Sequence, residues 1–132
     1  MTFDLQPEEA RLLLNVALMA TGQNRFTSAT TILAALERFR PEDPSLDSAK
    51  AVLFISMADF GEAVSFIDDV ALRRFPGNPM LLALRGMALI RLGRDADAAV
   101  SLREAAAQTA DPAAAALARD LLLTPPGGLS HV

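Results

Sequence analysis

Few side chains in the 132-residue sequence are suited to chemistry. It contains no cysteine and one histidine, His131. A nucleophilic serine needs a base within hydrogen-bond reach, and no serine in the helical part of the chain has a histidine near it in sequence. Examples of these serines are Ser28, Ser56, Ser65 and Ser101. Zinc sites need clustered cysteine and histidine ligands, which this composition excludes.

The tightest acidic group is the pair Asp68 and Asp69. Neighbouring residues on a helix do not face each other, so we interpret the pair as a solvated helix surface rather than a carboxylate metal site. The glycines are spread one per turn or helix crossing and form no phosphate-binding loop. We therefore predict that the protein is not an enzyme and needs no metal or cofactor.

Composition favours a helical fold. Hydrophobic residues make up 52% of the chain, there is no Trp or Tyr, and the net charge is −4. Such a composition is typical of all-α proteins. The arginines are scattered and no basic stripe is present, so nucleic acid is not an expected partner. The apolar run from Leu12 to Ala20 is broken by Asn15 and is too short for a membrane span or a signal peptide. We expect a cytoplasmic protein.

A pair of residues that suits the first turn of a helix recurs along the chain. An Asn or Asp side chain accepts a hydrogen bond from a free backbone N–H, and the following proline lacks the N–H that would be unpaired. The pairs are Asp43-Pro44, Asn78-Pro79 and Asp111-Pro112, which are 35 and 33 residues apart. Alanines that follow the turns repeat in phase, at Ala29, Ala63 and Ala98. A period in the mid-thirties indicates helical repeats.

This pattern predicts three helix hairpins and a closing seventh helix. The expected helices cover residues 7–21, 26–39 and 45–58, a fourth ending near 74, a fifth and sixth between 78 and 112, and a seventh from 112. No internal linker indicates a second domain. We predict one helical domain over residues 1–124 and a disordered tail over 125–132, which contains two prolines and two glycines.

The third hairpin resembles the tetratricopeptide repeat, a helix pair with small residues where the helices cross. The matching residues are Leu82, Gly86, Leu89, Gly93, Ala98, Leu102 and Ala105. Arg85 departs from the pattern, which has leucine there, and the first two hairpins keep mainly the alanine and apolar positions. The resemblance implies a superhelical array of three such hairpins, with a concave face formed by the first helix of each.

Mapping the repeat onto the sequence places apolar side chains on that concave face. They are Leu14, Leu18, Val52, Ile55, Met80, Ala83, Met87 and Ile90. An apolar groove suits the apolar face of an amphipathic helix, and methionines adapt to irregular ligand surfaces. The alternative is that these side chains only pack against the second helices. Tetratricopeptide proteins that bind chaperone carboxylate ends present basic residues instead, so that ligand is disfavoured.

The first helix has too little polar surface for the end of a repeat array. Its apolar side chains lie almost all the way round, whereas a terminal helix should have a polar face. We expect something to cover the residues Leu12, Leu13, Val16 and Met19. Either the segment Phe3 to Leu5 folds back over them, or a partner chain or a second copy does.

A narrower resemblance rests on two segments, Leu13 to Gly22 and Ala83 to Arg94. They are similar to segments of the small tetratricopeptide chaperones of bacterial type III secretion that hold a needle or pilus subunit. The resemblance implies a non-enzymatic module whose groove binds an amphipathic helix of an export subunit, while a small co-chaperone covers the first hairpin. The alternative function is a scaffold or adaptor that self-associates or assembles a larger complex.

Overall fold

A computed structural model of the chain describes residues 5–123, which form seven helices and no strand. Helix α4 begins as Phe60–Phe66, continues as a π-helical segment, Ile67–Ala71, and ends in the turn Leu72–Arg74. The other helices are α1 (Pro7–Gly22), α2 (Phe26–Phe39), α3 (Pro44–Ser56), α5 (Pro79–Arg91), α6 (Asp95–Ala106) and α7 (Pro112–Leu123). The predicted all-α fold is confirmed.

Three helices begin at the proline that the sequence pattern indicates. In each, the Asn or Asp before the proline accepts a hydrogen bond from a backbone N–H of the first turn. The pairs are Asp43 with Ser45 at 2.9 Å, Asn78 with Leu81 at 3.1 Å, and Asp111 with Ala114 at 3.1 Å. Each cap satisfies one of the donors that a helix start leaves unpaired. The predicted starts are therefore confirmed.

The chain packs as two compact units, the first ending at Ala58 and the second beginning at Asp59. The single domain over 1–124 stays a prediction, and the predicted tail over 125–132 lies outside the described residues. In the first unit, α1 contacts α2 and α3. Its core contains Leu5, whose carbonyl oxygen accepts from Nη1 of Arg40 at 3.4 Å. Leu5, which precedes α1, therefore packs in the core of this unit. Phe3 is outside the described residues.

In the second unit, α5 contacts α4, α6 and α7. The crossing of α5 and α6 is close because Gly86 lies against Leu102, with no room for a side chain between them. The buried hydroxyl of Ser101 donates to the carbonyl oxygen of Leu82 at 2.7 Å across the same crossing. Small residues at this crossing allow the two helices to pack directly on each other.

The π-helical segment of α4 carries the acidic pair. Its hydrogen bond joins the N–H of Leu72 to the carbonyl oxygen of Ile67, five residues earlier. Asp68 accepts from Nε of Arg85 at 2.6 Å, so this ion pair links α4 to α5. The sequence predicts a regular helix here, because a π turn differs from an α turn only in hydrogen-bond spacing, which an apolar pattern does not reveal.

Candidate protein-binding surfaces

Two of the side chains considered above for chemistry make contacts that stabilise the fold. Asp68 is engaged by Arg85, and the Ser101 hydroxyl is used inside the core of the second unit. Among residues 5–123, no group of three or more His, Cys, Asp or Glu side chains could hold a metal ion. His131 lies outside the described residues.

None of the helices in the described part of the chain is both long enough and apolar enough to cross a bilayer.

The first helix exposes large apolar side chains along one face. Leu12 is 63% exposed and Met19 62%, with Val16 at 41% and Leu13 at 36%. We call these four residues the α1 face. The spacing of Leu12, Val16 and Met19, four and then three residues, places those three on one stripe of the helix.

The opposite side of α1 is filled by small residues. Ala10, Ala17 and Ala20 are buried against α2 and α3, together with Thr21, whose hydroxyl donates to the carbonyl oxygen of Ala17 at 2.9 Å. The helix therefore packs mainly through alanines and turns most of its larger side chains outward. This reverses the usual arrangement, in which large apolar residues face the core. Contiguous exposed apolar surface of this kind marks interaction sites.

The predicted concave-face residues of the first unit are partly accessible. Leu14, Val52 and Ile55 are half-buried, and Leu18 is exposed. Leu14 packs against the core of the unit and contributes only part of its surface. The side chains on α3 that remain available to a ligand are thus Val52 and Ile55, which lie three residues apart on one face of that helix.

In the second unit, the four predicted residues on α5 divide into two pairs. Met80 and Met87 are half-buried and lie two helical turns apart. Ala83 is fully buried in the core, and Ile90 packs against the same core while half-buried. Because Ala83 has no accessible surface, it cannot touch a ligand, and the methionines are the residues of α5 best placed to do so.

A cleft in the first unit was not predicted from the sequence. Its volume is about 270 Å³, and the ends of α1, α2 and α3 line it. Leu14, Leu36 and Leu46 supply apolar lining, and Arg11 and Arg40 supply guanidinium groups. The two arginines come from different helices, 29 residues apart in sequence, and no spacing rule brings such residues together.

Comparison with known proteins gives the family. Residues 3–124 match the model of the family described as Bacterial type III secretion protein (HrpB1_HrpK). The chain belongs to this bacterial type III secretion protein family. No curated protein and no solved structure shows a significant match. Family membership supports the secretion part of the interpretation drawn from the sequence.

Proposed function

We propose that the protein is a non-enzymatic binding component of type III secretion that acts as a chaperone for an export subunit. The observation that carries the protein-binding role is the outward-facing apolar surface of α1, which packs through alanines and leaves Leu12 and Met19 exposed. Membership in the type III secretion family supplies the secretion context. No catalytic residue, metal or cofactor enters this proposal.

The client in this proposal is the apolar face of an amphipathic helix. Each unit offers half-buried apolar side chains at helical spacing, Val52 and Ile55 on α3 and Met80 and Met87 on α5. A subunit that polymerises through a helix face stays monomeric while that face is covered. Unbranched methionine side chains adjust to an imperfect fit, which suits a chaperone more than a permanent complex.

Area arguments support a reversible complex. Burial of several hundred Å² of apolar surface gives on the order of 10 kcal/mol at about 25 cal/mol per Å². Lost translational freedom and ordering of side chains take back a large part of that gain. The remaining free energy is below about 8 kcal/mol, which corresponds to a Kd above about 1 µM, so the client is held reversibly and can be released.

Two further features belong to the same proposal. The helix pair α5 and α6 is a tetratricopeptide-like hairpin in this interpretation, with Gly86 at the crossing in the position where the repeat uses a small residue. A chaperone of this kind meets its client before export, so the protein works in the cytoplasm.

The second candidate function is a scaffold that self-associates or assembles a larger complex. The α1 face favours it, because a chaperone needs an apolar surface only where its client binds, and α1 exposes a stripe on the side away from its own core. In the chaperone proposal a small co-chaperone covers this stripe. In the scaffold proposal a second copy or another structural subunit does.

Affinity capture from the native cells tests the proposal. The tagged full-length chain is recovered under mild conditions, and every protein bound in stoichiometric amount is identified by mass spectrometry. The chain contains no Trp or Tyr, so the bait is followed by immunodetection rather than by absorbance at 280 nm. Recovery of one small helical subunit destined for export supports the chaperone. Recovery of the bait without such a subunit, either alone or only with further copies of itself, contradicts it and favours the scaffold.

A further inference from the structure

The α1 face is an apolar stripe with a charged residue of opposite sign beyond each end. Its middle is apolar, with Leu12, Val16 and Met19 on one stripe. The start of the helix carries the exposed acid Glu8, and the exposed base Arg25 lies three residues after the end of the helix at Gly22. The N–H of Arg25 donates to the carbonyl oxygen of Ala20 at 2.8 Å, which keeps this residue within a turn of the helix end. The exposed acid Glu8 thus precedes the apolar stripe, and the exposed base Arg25 follows it.

We propose that the α1 face binds the α1 face of a second copy of this chain, with the two helices antiparallel. This arrangement places Glu8 of each copy near Arg25 of the other, so opposite charges meet at both ends. A parallel arrangement would place Glu8 against Glu8 and Arg25 against Arg25. Antiparallel helices also align their dipoles favourably, the positive start of one beside the negative end of the other.

The spacing of the exposed residues fits a two-fold axis through the middle of α1. Leu12 and Met19 are nearly equal in exposure, and they lie at equal distances from the midpoint between Asn15 and Val16. In an antiparallel pair centred there, Leu12 of each copy packs against Met19 of the other. Asn15 then lies beside the axis, where an amide group finds a partner only in the correct register, as polar residues do in coiled coils.

The limited extent of the α1 face indicates a reversible dimer. Only one 16-residue helix of each copy takes part, and its large apolar side chains are one-third to two-thirds exposed. Such an interface lies below the size of permanent complexes, in the range of weak and transient ones. The expected Kd for the dimer is on the order of 10 µM. The pairing uses surface different from the side chains proposed for the client, so it does not depend on client binding.

Site-specific disulfide crosslinking tests both the pairing and its direction. Because the chain has no cysteine, each introduced thiol is the only one present. V16C lies beside the proposed axis and is expected to crosslink to itself. L12C alone is not, because Leu12 of one copy faces position 19 of the other, seven residues or about 10.5 Å along the helix from the partner Leu12. Disulfides do not span Cα atoms more than about 7 Å apart.

A mixture of L12C and M19C is expected to give the crosslinked heterodimer in high yield. The control is V100C on α6, which replaces an apolar side chain that is 61% exposed and so reports random collisions. Crosslinking of L12C with itself would show parallel helices and overturn the proposed direction. Yields for V16C and for the mixture no higher than for V100C would overturn the pairing altogether.

Charge reversal gives an independent test in the full-length chain by sedimentation equilibrium with interference optics. E8R and R25E alone each place like charges at both ends of the antiparallel pair and are expected to raise the Kd at least about threefold. Mixing the two variants restores opposite charges at both ends, so the mixture is expected to dimerise as the unaltered chain does. If the unaltered chain is monomeric at about 100 µM, the proposal is overturned. The same holds if the mixture dimerises no more tightly than the single variants. A monomer that still binds a co-chaperone through Leu12 would assign the face to that partner instead.

Discussion

Gly86 of α5 lies directly against the side chain of Leu102 of α6. A Cβ added to Gly86 would stand 2.4 Å from Cδ2 and 2.5 Å from Cγ of Leu102. Leu102 is buried and packs in the core with Leu82, Ala83, Ala105 and Ala118, so it has little room to move aside. The absence of a side chain at position 86 therefore sets how closely the two helices approach.

Replacement of this glycine by alanine is the first prediction. Gly86→Ala gains up to about 1 kcal/mol in helix propensity, but the added methyl group overpacks the crossing at a cost of about 1–3 kcal/mol. We expect a net loss of about 1–2 kcal/mol in the free energy of unfolding. Urea unfolding followed by circular dichroism at 222 nm measures it, since the chain has no Trp for fluorescence.

The matched control is Gly61→Ala in α4. A Cβ at Gly61 meets nothing within 4 Å, and its backbone is helical. The same substitution there is expected to be neutral or stabilising by up to about 1 kcal/mol. Equal effects of the two substitutions would show that the space at Gly86 does not limit the approach of α5 and α6.

The parts of this fold that the sequence predicts are those set by residues adjacent in the chain. A cap such as Asn78 needs only the residues that follow it, so the starts of α3, α5 and α7 are readable from Asx-proline pairs. The Asp68–Arg85 ion pair is different because it joins residues 17 positions apart on two helices. Arg85 appears in the sequence as a departure from the repeat pattern, and its partner explains why the charge is tolerated there.

The burial of side chains on the candidate surfaces also depends on contacts between helices, which the local sequence does not reveal. An apolar run such as Leu12 to Met19 predicts a helix, but periodicity does not reveal which side of a helix with apolar residues all round faces the core. The structure buries the alanines and exposes the larger side chains. Ala83 matches the spacing of the concave face and is nevertheless fully buried, because the position of α6 and α7 decides its accessibility.

The cap of α5 leads to the second prediction. Asn78→Ala removes the acceptor for the Leu81 N–H, which is bonded at 3.1 Å. We expect a loss of about 1 kcal/mol in stability, equivalent to a fall in Tm of roughly 4 °C. Asn78→Ser keeps an acceptor oxygen at the cap and should restore most of the Tm. If the serine variant melts as early as the alanine variant, then the side-chain bond is not what stabilises the start of α5.

The third prediction concerns the buried hydroxyl of Ser101. Its bond of 2.7 Å to the carbonyl oxygen of Leu82 links α6 to α5. Ser101→Ala is expected to lower the free energy of unfolding by about 0.5–1.5 kcal/mol relative to its control. The control is Ser65→Ala on the exposed surface of α4, which carries the same gain in helix propensity without a buried bond. Chemical denaturation of both variants gives the difference directly, and a difference near zero would contradict a stabilising role for the bond.

The last prediction addresses the client surfaces of the two units separately. Met87→Glu on α5 and Val52→Asp on α3 each place a charge on a half-buried apolar position. Binding of a client helix there would have to desolvate that charge, so each variant is expected to weaken binding at least tenfold, while circular dichroism shows an unchanged helical fold. Isothermal titration with the captured export subunit measures the Kd.

Val100→Glu is the control for these client variants, since Val100 is exposed on α6 and belongs to none of the proposed surfaces. It should bind the client as the unaltered chain does. The pattern also separates the two units: loss in one variant alone would assign the client to that unit. Unchanged affinity in both Met87→Glu and Val52→Asp would refute client binding at α3 and α5. In that case the α1 face would remain as the apolar surface through which the protein meets a partner.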